Sequence, residues 1–180
     1  KEGDMGIVDL LKNAGYTPEK STAGDKPVLK GIYKCLFVDF KNEPEGKYGS
    51  QLMAKFQIVE KMSGMDSRSQ FPQFTGYYKT DEAGAASKRN GIAKLLNGFF
   101  SVGKNVDTTS DMTLIDSLEA MKGSAEVYIS AYKKNPRKQD DSGAWVDNPD
   151  GEVKQDFSFM TQVNAEREAA KQIKKDGHPL

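Results

Sequence analysis

The segment QLMAKFQIVEK, residues 51–61, has the clearest two-residue periodicity in this 180-residue chain. One set of alternate positions holds Leu52, Ala54, Phe56 and Ile58, and the other set is largely polar. Such alternation over about ten residues is typical of a β-strand with one face in the core and one in water. We therefore expect this strand to be the centre of a small barrel, with its polar face as the working surface.

The segments before and after it are also predicted to be strands. Residues 28–40, VLKGIYKCLFVDF, are apolar at both sets of alternate positions, so which face is buried stays open. Gly31 is a natural site for a β-bulge that bends this strand. Residues 70–80, QFPQFTGYYKT, form a third predicted strand, in which Pro72 favours an edge position or a bulge.

Two more strands are predicted later in the chain. Residues 124–132, SAEVYISAY, place small and branched side chains on one face and Tyr128 and Tyr132 on the other. Residues 156–163, DFSFMTQV, are the last predicted strand. The long excursion between them, 133–156, has a basic start and an acidic end. A loop of this length without structure of its own is usually functional or mobile.

Four segments have the three- and four-residue spacing of helices. They are 5–14 with Asp4 as N-cap, 82–100, 112–121 with Asp111 as N-cap, and 165–175. The last of these is polar, and we expect it to be solvated.

The order of elements predicts a mainly β protein with helices, a β-barrel of OB-fold type. An OB-fold is a five-stranded, partly open barrel that binds its ligand on strands two and three and on the neighbouring loops. We expect a helical insertion between strands three and four and short terminal helices. The corresponding divisions are an N-terminal helix and linker (1–26), the OB-fold domain (27–163) and a C-terminal helical tail (164–180). A sandwich or an SH3-like barrel would use the same strands.

The composition argues against several kinds of chemistry. With one Cys and one His, the chain cannot assemble a zinc site of the usual ligand types. There is no phosphate-cradling G-x-x-x-x-G-K-[ST] motif, and the acidic residues are scattered over different elements. We therefore expect no enzyme activity and no cofactor. The absence of long apolar runs and the single Cys favour a cytoplasmic protein with no membrane partner.

Positive charge is concentrated on the predicted strands although the net charge is zero. Residues 26–79 hold nine positive and five negative side chains, and residues 122–138 hold five and one. A basic surface on a neutral molecule indicates that this surface binds an anionic partner. Solvated lysines on strand edges, where they discourage edge-to-edge pairing, are the alternative.

Five motifs in this order resemble a family of phage-encoded single-stranded-DNA-binding proteins of OB-fold type. They are GIYKCLFVDF (31–40), SQLMAKFQIVE (50–60), GIAKLLNGFFSVG (91–103), LEAMKGSAEVYISAYKKN (118–135) and DFSFM (156–160). The resemblance implies a role in DNA replication or recombination, within the bacterial cytoplasm of a phage host. Many members of that family end in an acidic tip that recruits partners, whereas this chain ends in KKDGHPL.

A non-specific single-strand binder needs a basic groove and flat rings on which bases can stack. The predicted outward positions, the loops and the excursion supply such residues. They are Lys34, Lys47, Tyr48, Lys55, Gln57, Arg68, Tyr77, Lys79, Tyr128, Tyr132, Lys133, Lys134, Arg137, Lys138 and Trp145.

We therefore expect single-stranded DNA as the ligand, with replication or recombination proteins and a second copy of the chain as further candidate partners. The main alternative is a protein-interaction barrel or phage structural component without a nucleic-acid ligand. A metal-dependent nuclease is a third hypothesis, and nothing in the sequence brings its carboxylates together.

Overall fold

The computed structural model describes residues 6–21, 31–46, 49–64, 73–151 and 154–175. The helices are α1 (Ile7–Asn13), α2 (Ile92–Phe100), α3 (Asp111–Met121) and α4 (Gln162–Lys175). The strands are β1 (Gly31–Gly46), β2 (Gly49–Gly64), β3 (Gln73–Lys79), β4 (Glu126–Lys134), β5 (Arg137–Gln139), β6 (Trp145–Asp147) and β7 (Lys154–Met160). Within these residues, no helix has both the length and the apolar character needed to span a membrane.

Five strands form one antiparallel sheet in the order β3-β2-β1-β4-β7. The sheet curls so that its two end strands approach each other through aromatic rings. The ring of Phe74 on β3 lies 5.3 Å from that of Phe157 on β7, and Tyr78 and Phe159 lie 6.4 Å apart. The result is a nearly closed five-stranded barrel with helices, which confirms the predicted OB-like fold. We call the gap between β3 and β7 the seam.

The central strand has the predicted parity. Leu52, Ala54 and Phe56 are fully buried inside the barrel, and Ile58 packs against the same core. Phe56 contacts the rings of Phe99 on α2 and Phe159 on β7, so the helical insertion closes one side of the barrel interior. This aromatic packing fixes the position of α2 beside the seam.

The structure also settles the open parity of β1. Tyr33, Cys35 and Phe37 point into the barrel, whereas Ile32 lies in a second apolar cluster on the outside. Ile32 is apolar on the outer face because Ala165 and Ala169 of α4 cover it. A β-bulge was predicted at Gly31; the β1–β2 pairing has several register shifts, and the one nearest to Gly31 lies between Ile32 and Tyr33.

The polar C-terminal helix was predicted to be solvated, and this prediction is wrong. Along α4, Ala165 and Ala169 are buried against Ile32, Tyr128 and Met160. Small side chains on one stripe of α4 let its backbone lie close to the sheet, which a count of apolar residues does not reveal.

The predicted helix over 82–100 is wrong in its first half. Only Ile92–Phe100 is helical, and residues 81–90 form a series of turns that we call the turn segment. This segment folds back on both neighbouring elements, because Asn90 O accepts from Lys79 N (2.8 Å) and Ala85 O accepts from Ala93 N (3.0 Å). A side chain at Gly91 would collide with backbone oxygens of the turn segment.

The long excursion after β4 carries structure of its own, contrary to expectation. Strands β5 and β6 pair as a short antiparallel ribbon between 137 and 147. Each has only three residues, too few for a periodicity to be visible in the sequence.

The ends of α1 and α3 are joined by one carboxylate. The predicted N-cap Asp4 lies outside the described residues, and Gly6 occupies the N-cap position of α1. Asp111 was predicted to cap α3, but Ser110 does so in a capping box with Thr113. Asp111 instead accepts the free N–H groups of Ile7 (3.2 Å) and Val8 (2.8 Å), and so holds α1 against α3.

Replacing Asp111 with alanine is expected to lower the free energy of unfolding by about 1–2 kcal/mol, because two backbone donors lose their acceptor. Urea denaturation measures the change. Asp116→Ala is the matched control, since Asp116 is an exposed carboxylate on the same helix. Equal losses in the two variants would contradict this role of Asp111.

Candidate nucleic-acid interface

A groove of about 710 Å³ follows the seam of the barrel. One wall is β3 at 75–78, the opposite wall is β7 at 156–158, and the turn segment at 87–90 forms one end. Lys94 from α2 and Tyr132 and Lys134 from β4 complete the lining. We call this space the seam groove.

Two tyrosine rings line the seam groove at different depths. Tyr77 is 57% exposed and so presents a ring face to solvent. Tyr132 is half-buried, and its hydroxyl donates to Asp156 Oδ2 (3.3 Å) and lies 3.4 Å from Ser158 Oγ. Burial raises the pKa of Tyr132, so its phenol is neutral at physiological pH. One ring is therefore open for stacking, and the other is held by β7.

Cationic side chains surround the mouth of the groove. Lys88, Arg89 and Lys134 line it and are exposed, and we call these three the rim cations. Lys88 forms an ion pair with Glu19 at 2.8 Å, with both side chains about half exposed. Exposed pairs of this kind contribute little to stability, so a phosphate can replace Glu19 at small cost.

Lys94 lies deeper than the rim cations. Its ammonium donates to Phe157 O (3.2 Å) and lies 5.9 Å from the centre of the Phe157 ring. Burial lowers the pKa of Lys94, while the nearby Asp156 carboxylate opposes that shift and Lys134 adds to it. The three charged side chains are thus close enough to influence one another within the groove.

The inner wall of the groove includes Tyr78, whose side chain belongs to the barrel core. The side chain of Tyr78 is 2% exposed, and its hydroxyl has no partner within the part of the chain that the structure describes. Burial is the main reason that the pKa of Tyr78 is raised, and the Asp156 carboxylate adds to the effect. Gly76 is needed here, because a side chain at that position would collide with the Tyr78 ring.

The groove continues onto the outer face of β2 and β3. Four register pairs lie on this face: Gln51 with Lys79, Met53 with Tyr77, Lys55 with Thr75, and Gln57 with Gln73. Thr75 and Tyr77 belong to both surfaces. Lys55, Gln57, Tyr77 and Lys79 therefore share one face with the groove, as their predicted parity required.

Six of the predicted site residues lie on the groove or on this continuous face. They are Lys55, Gln57, Tyr77, Lys79, Tyr132 and Lys134. Lys47, Tyr48 and Arg68 lie outside the described residues, and the side chain of Lys133 is not described.

Tyr128 and Lys34 do not belong to this surface. Tyr128 does point outward, as its parity indicates, but α4 covers it and leaves it 8% exposed. Lys34 lies opposite Tyr128 on β4, opposite Glu60 on β2, and 3.5 Å from Glu126. A covered ring cannot stack on a base, so we remove Tyr128 from the candidate interface. Lys34 lies on the same face of the sheet as Tyr128 and does not line the groove, so we remove it as well.

Arg137, Lys138 and Trp145 lie on the β5–β6 ribbon, which follows β4 closely in the chain. The Arg137 guanidinium donates to the backbone oxygen of Trp145 (2.7 Å), which holds the two strands together. Trp145 is 61% exposed, so its ring is presented to solvent rather than packed on the barrel.

Sequence reasoning missed several groove residues. They are Tyr78, Lys88, Arg89, Lys94, Asp156 and Ser158. Lys88 and Arg89 were missed because the predicted helix over 82–100 included the turn segment. The polar run SKRN (87–90) between two glycines was the available signal for a functional turn.

Comparisons with known protein families and with curated proteins found no match for this chain. The described residues hold no group of three or more His, Cys, Asp or Glu side chains that could bind a metal ion. Any assignment of function therefore depends on the geometry and chemistry of the seam groove.

Replacing Tyr78 with phenylalanine is expected to raise the free energy of unfolding of the unliganded protein by up to about 1 kcal/mol, because a buried hydroxyl without a partner is removed. Tyr16→Phe is the matched control. The Tyr16 hydroxyl donates to Asn97 Oδ1 at 2.8 Å, so its loss should lower stability by about 1 kcal/mol. Thermal and urea unfolding measure both; destabilisation by Tyr78→Phe as large as that of Tyr16→Phe would contradict the assignment.

Proposed function

We propose that this protein binds single-stranded DNA without strong sequence preference, in phage DNA replication or recombination. Stacking on exposed rings and Lys/Arg–phosphate contacts supply the affinity. The observation that carries the proposal is the seam groove, where the open ring of Tyr77 lies on the same lining as the three rim cations. The phage context comes from the resemblance of the five sequence motifs.

The chemistry of the groove suits an unpaired strand better than a duplex. In a single strand, bases can turn away from their neighbours and stack on protein rings, and every base has such a face. In a duplex these faces are occupied by neighbouring base pairs. An exposed Tyr77 beside cations therefore favours a ligand that offers unstacked bases and phosphates together.

The contacts available are sufficient for useful affinity. A base stacked on an aromatic side chain is worth about 1–3 kcal/mol by alanine substitution. Each phosphate neutralised by a lysine or arginine also releases condensed counterions, so binding weakens as salt rises. Lys55 and Lys79 on the outer face of β2 and β3 extend the path of positive charge beyond the rim cations.

Tyr77→Ala is expected to weaken binding of a fluorescent oligo-dT by about 1–3 kcal/mol, because one stacking surface is removed. Tyr77→Phe keeps the ring and should bind almost as the unchanged protein does. Fluorescence anisotropy titrations at one salt concentration give both values. Equal losses in the two variants would assign the effect to the hydroxyl and contradict stacking.

The double variant Lys88→Ala/Arg89→Ala is expected to reduce the steepness of the salt dependence by about 0.7 for each phosphate that is no longer neutralised, the value for single strands. The control is Lys104→Ala, an exposed lysine after α2 that does not line the groove. Anisotropy titrations over a NaCl series measure the slope of log affinity against log salt. The same slope in both variants would remove the rim cations from the interface.

The unchanged protein provides the decisive test of the proposal. Salt-dependent binding of oligo-dT supports it, and no binding even at low salt would overturn it. A discrete complex with a protein, in the absence of any oligonucleotide shift, would instead assign the exposed rings to protein interaction.

A further inference from the structure

The segment that follows α1 is held against α2 although it contains no helix or strand. We call residues 16–21 the N-terminal strap. The Tyr16 hydroxyl (2.8 Å) and the Glu19 backbone N–H (3.1 Å) both donate to Oδ1 of Asn97, a buried residue of α2. The backbone N–H of Ser21 donates to Ser101 Oγ at 2.6 Å. These three hydrogen bonds fix the path of the strap.

The first residue of the strap is anchored in the main apolar core. The ring of Tyr16 packs against that core, and its backbone N–H donates to Leu11 O at 2.9 Å. Burial raises the pKa of Tyr16 to about 12, and the Glu19 carboxylate adds to the effect. The Tyr16 hydroxyl therefore keeps its proton, and its hydrogen bond to Asn97, at physiological pH.

Glu19 is the residue through which the strap reaches the seam groove. Its carboxylate lies 2.8 Å from Nζ of Lys88, a rim cation, although Glu19 itself is not part of the groove lining. The chain thus supplies an anion to one of the cations that the proposed function assigns to phosphate. A phosphate that binds Lys88 has to displace this carboxylate first.

We propose that the N-terminal strap is an autoinhibitory element, in which Glu19 competes with the phosphates of the strand for Lys88. This inference rests on the proposed function and adds a regulation of the same groove. Because Asn97 holds the backbone of Glu19, the carboxylate is always close to Lys88, at a high effective concentration. The strand displaces the Glu19 side chain, while the backbone of the strap stays on α2.

The exposure of the ion pair sets the strength of the competition. Both side chains are about half exposed, and an exposed pair of this kind changes an equilibrium by at most about fivefold. Glu19 therefore lowers the affinity of the groove without blocking it. Salt screens exposed charges, so the competition is strongest at low ionic strength.

Glu19→Gln removes the charge of the side chain and keeps its size. We expect this variant to bind fluorescent oligo-dT about two- to fivefold more tightly than the unchanged protein, as measured by fluorescence anisotropy at low salt. Glu82→Gln is the matched control, since it removes the same charge from an exposed position of the turn segment that does not line the groove. Equal gains in the two variants would assign the effect to net charge and overturn the competition.

The gain must also depend on Lys88, which a double-mutant cycle measures. In a Lys88→Ala background, Glu19→Gln should leave the affinity unchanged, because the cation for which the carboxylate competes has been removed. A gain that persists in this background would overturn the autoinhibition alone, as would unchanged or weaker binding by Glu19→Gln in the otherwise unchanged protein. No binding of oligo-dT by either the unchanged protein or Glu19→Gln at low salt would overturn the proposed function as well.

Discussion

The contact between the end strands of the sheet is the constraint on which the rest of the molecule depends. Strands β3 and β7 are at opposite ends of the strand order and meet through the Phe74–Phe157 and Tyr78–Phe159 ring pairs. Two strands joined by pairs of rings lie farther apart than two strands joined by backbone hydrogen bonds, which are about 4.8 Å apart. The barrel is therefore closed in its core and open at its surface, and the seam groove is the space that this leaves.

The helical insertion turns that open seam into a lined site. Phe99 of α2 packs against Phe56 inside the barrel, and this contact brings Lys94 of the same helix to Phe157. The turn segment in front of α2 is held to β3 through Lys79 and Asn90, which places Lys88 and Arg89 at the mouth. Core packing and site geometry are thus two results of one set of interactions.

The strands of the sheet could be predicted from the sequence, whereas the helix packing that covers its outer face could not. Which alternate residues of β2 and β4 are buried could be predicted because each strand has one face in the barrel core, as Phe56 and Ile129 show. The parity of β1 could not be predicted, because α4 covers its outer face at Ile32. Tyr128 was correctly placed outward and is nevertheless excluded as a site residue for the same reason. Periodicity reports whether a face is apolar, and small residues such as Ala165 can cover a face without leaving a strong periodic signal.

The position of the only tryptophan has a consequence for how the molecule can be observed. Trp145 lies on the β5–β6 ribbon and is largely exposed, while the buried rings of the barrel are phenylalanines and tyrosines. Intrinsic indole emission therefore reports the surroundings of the ribbon, and barrel unfolding has to be followed by another signal such as far-ultraviolet dichroism. Tryptophan fluorescence and far-ultraviolet dichroism thus report separately on the β5–β6 ribbon and on the barrel, without any added label.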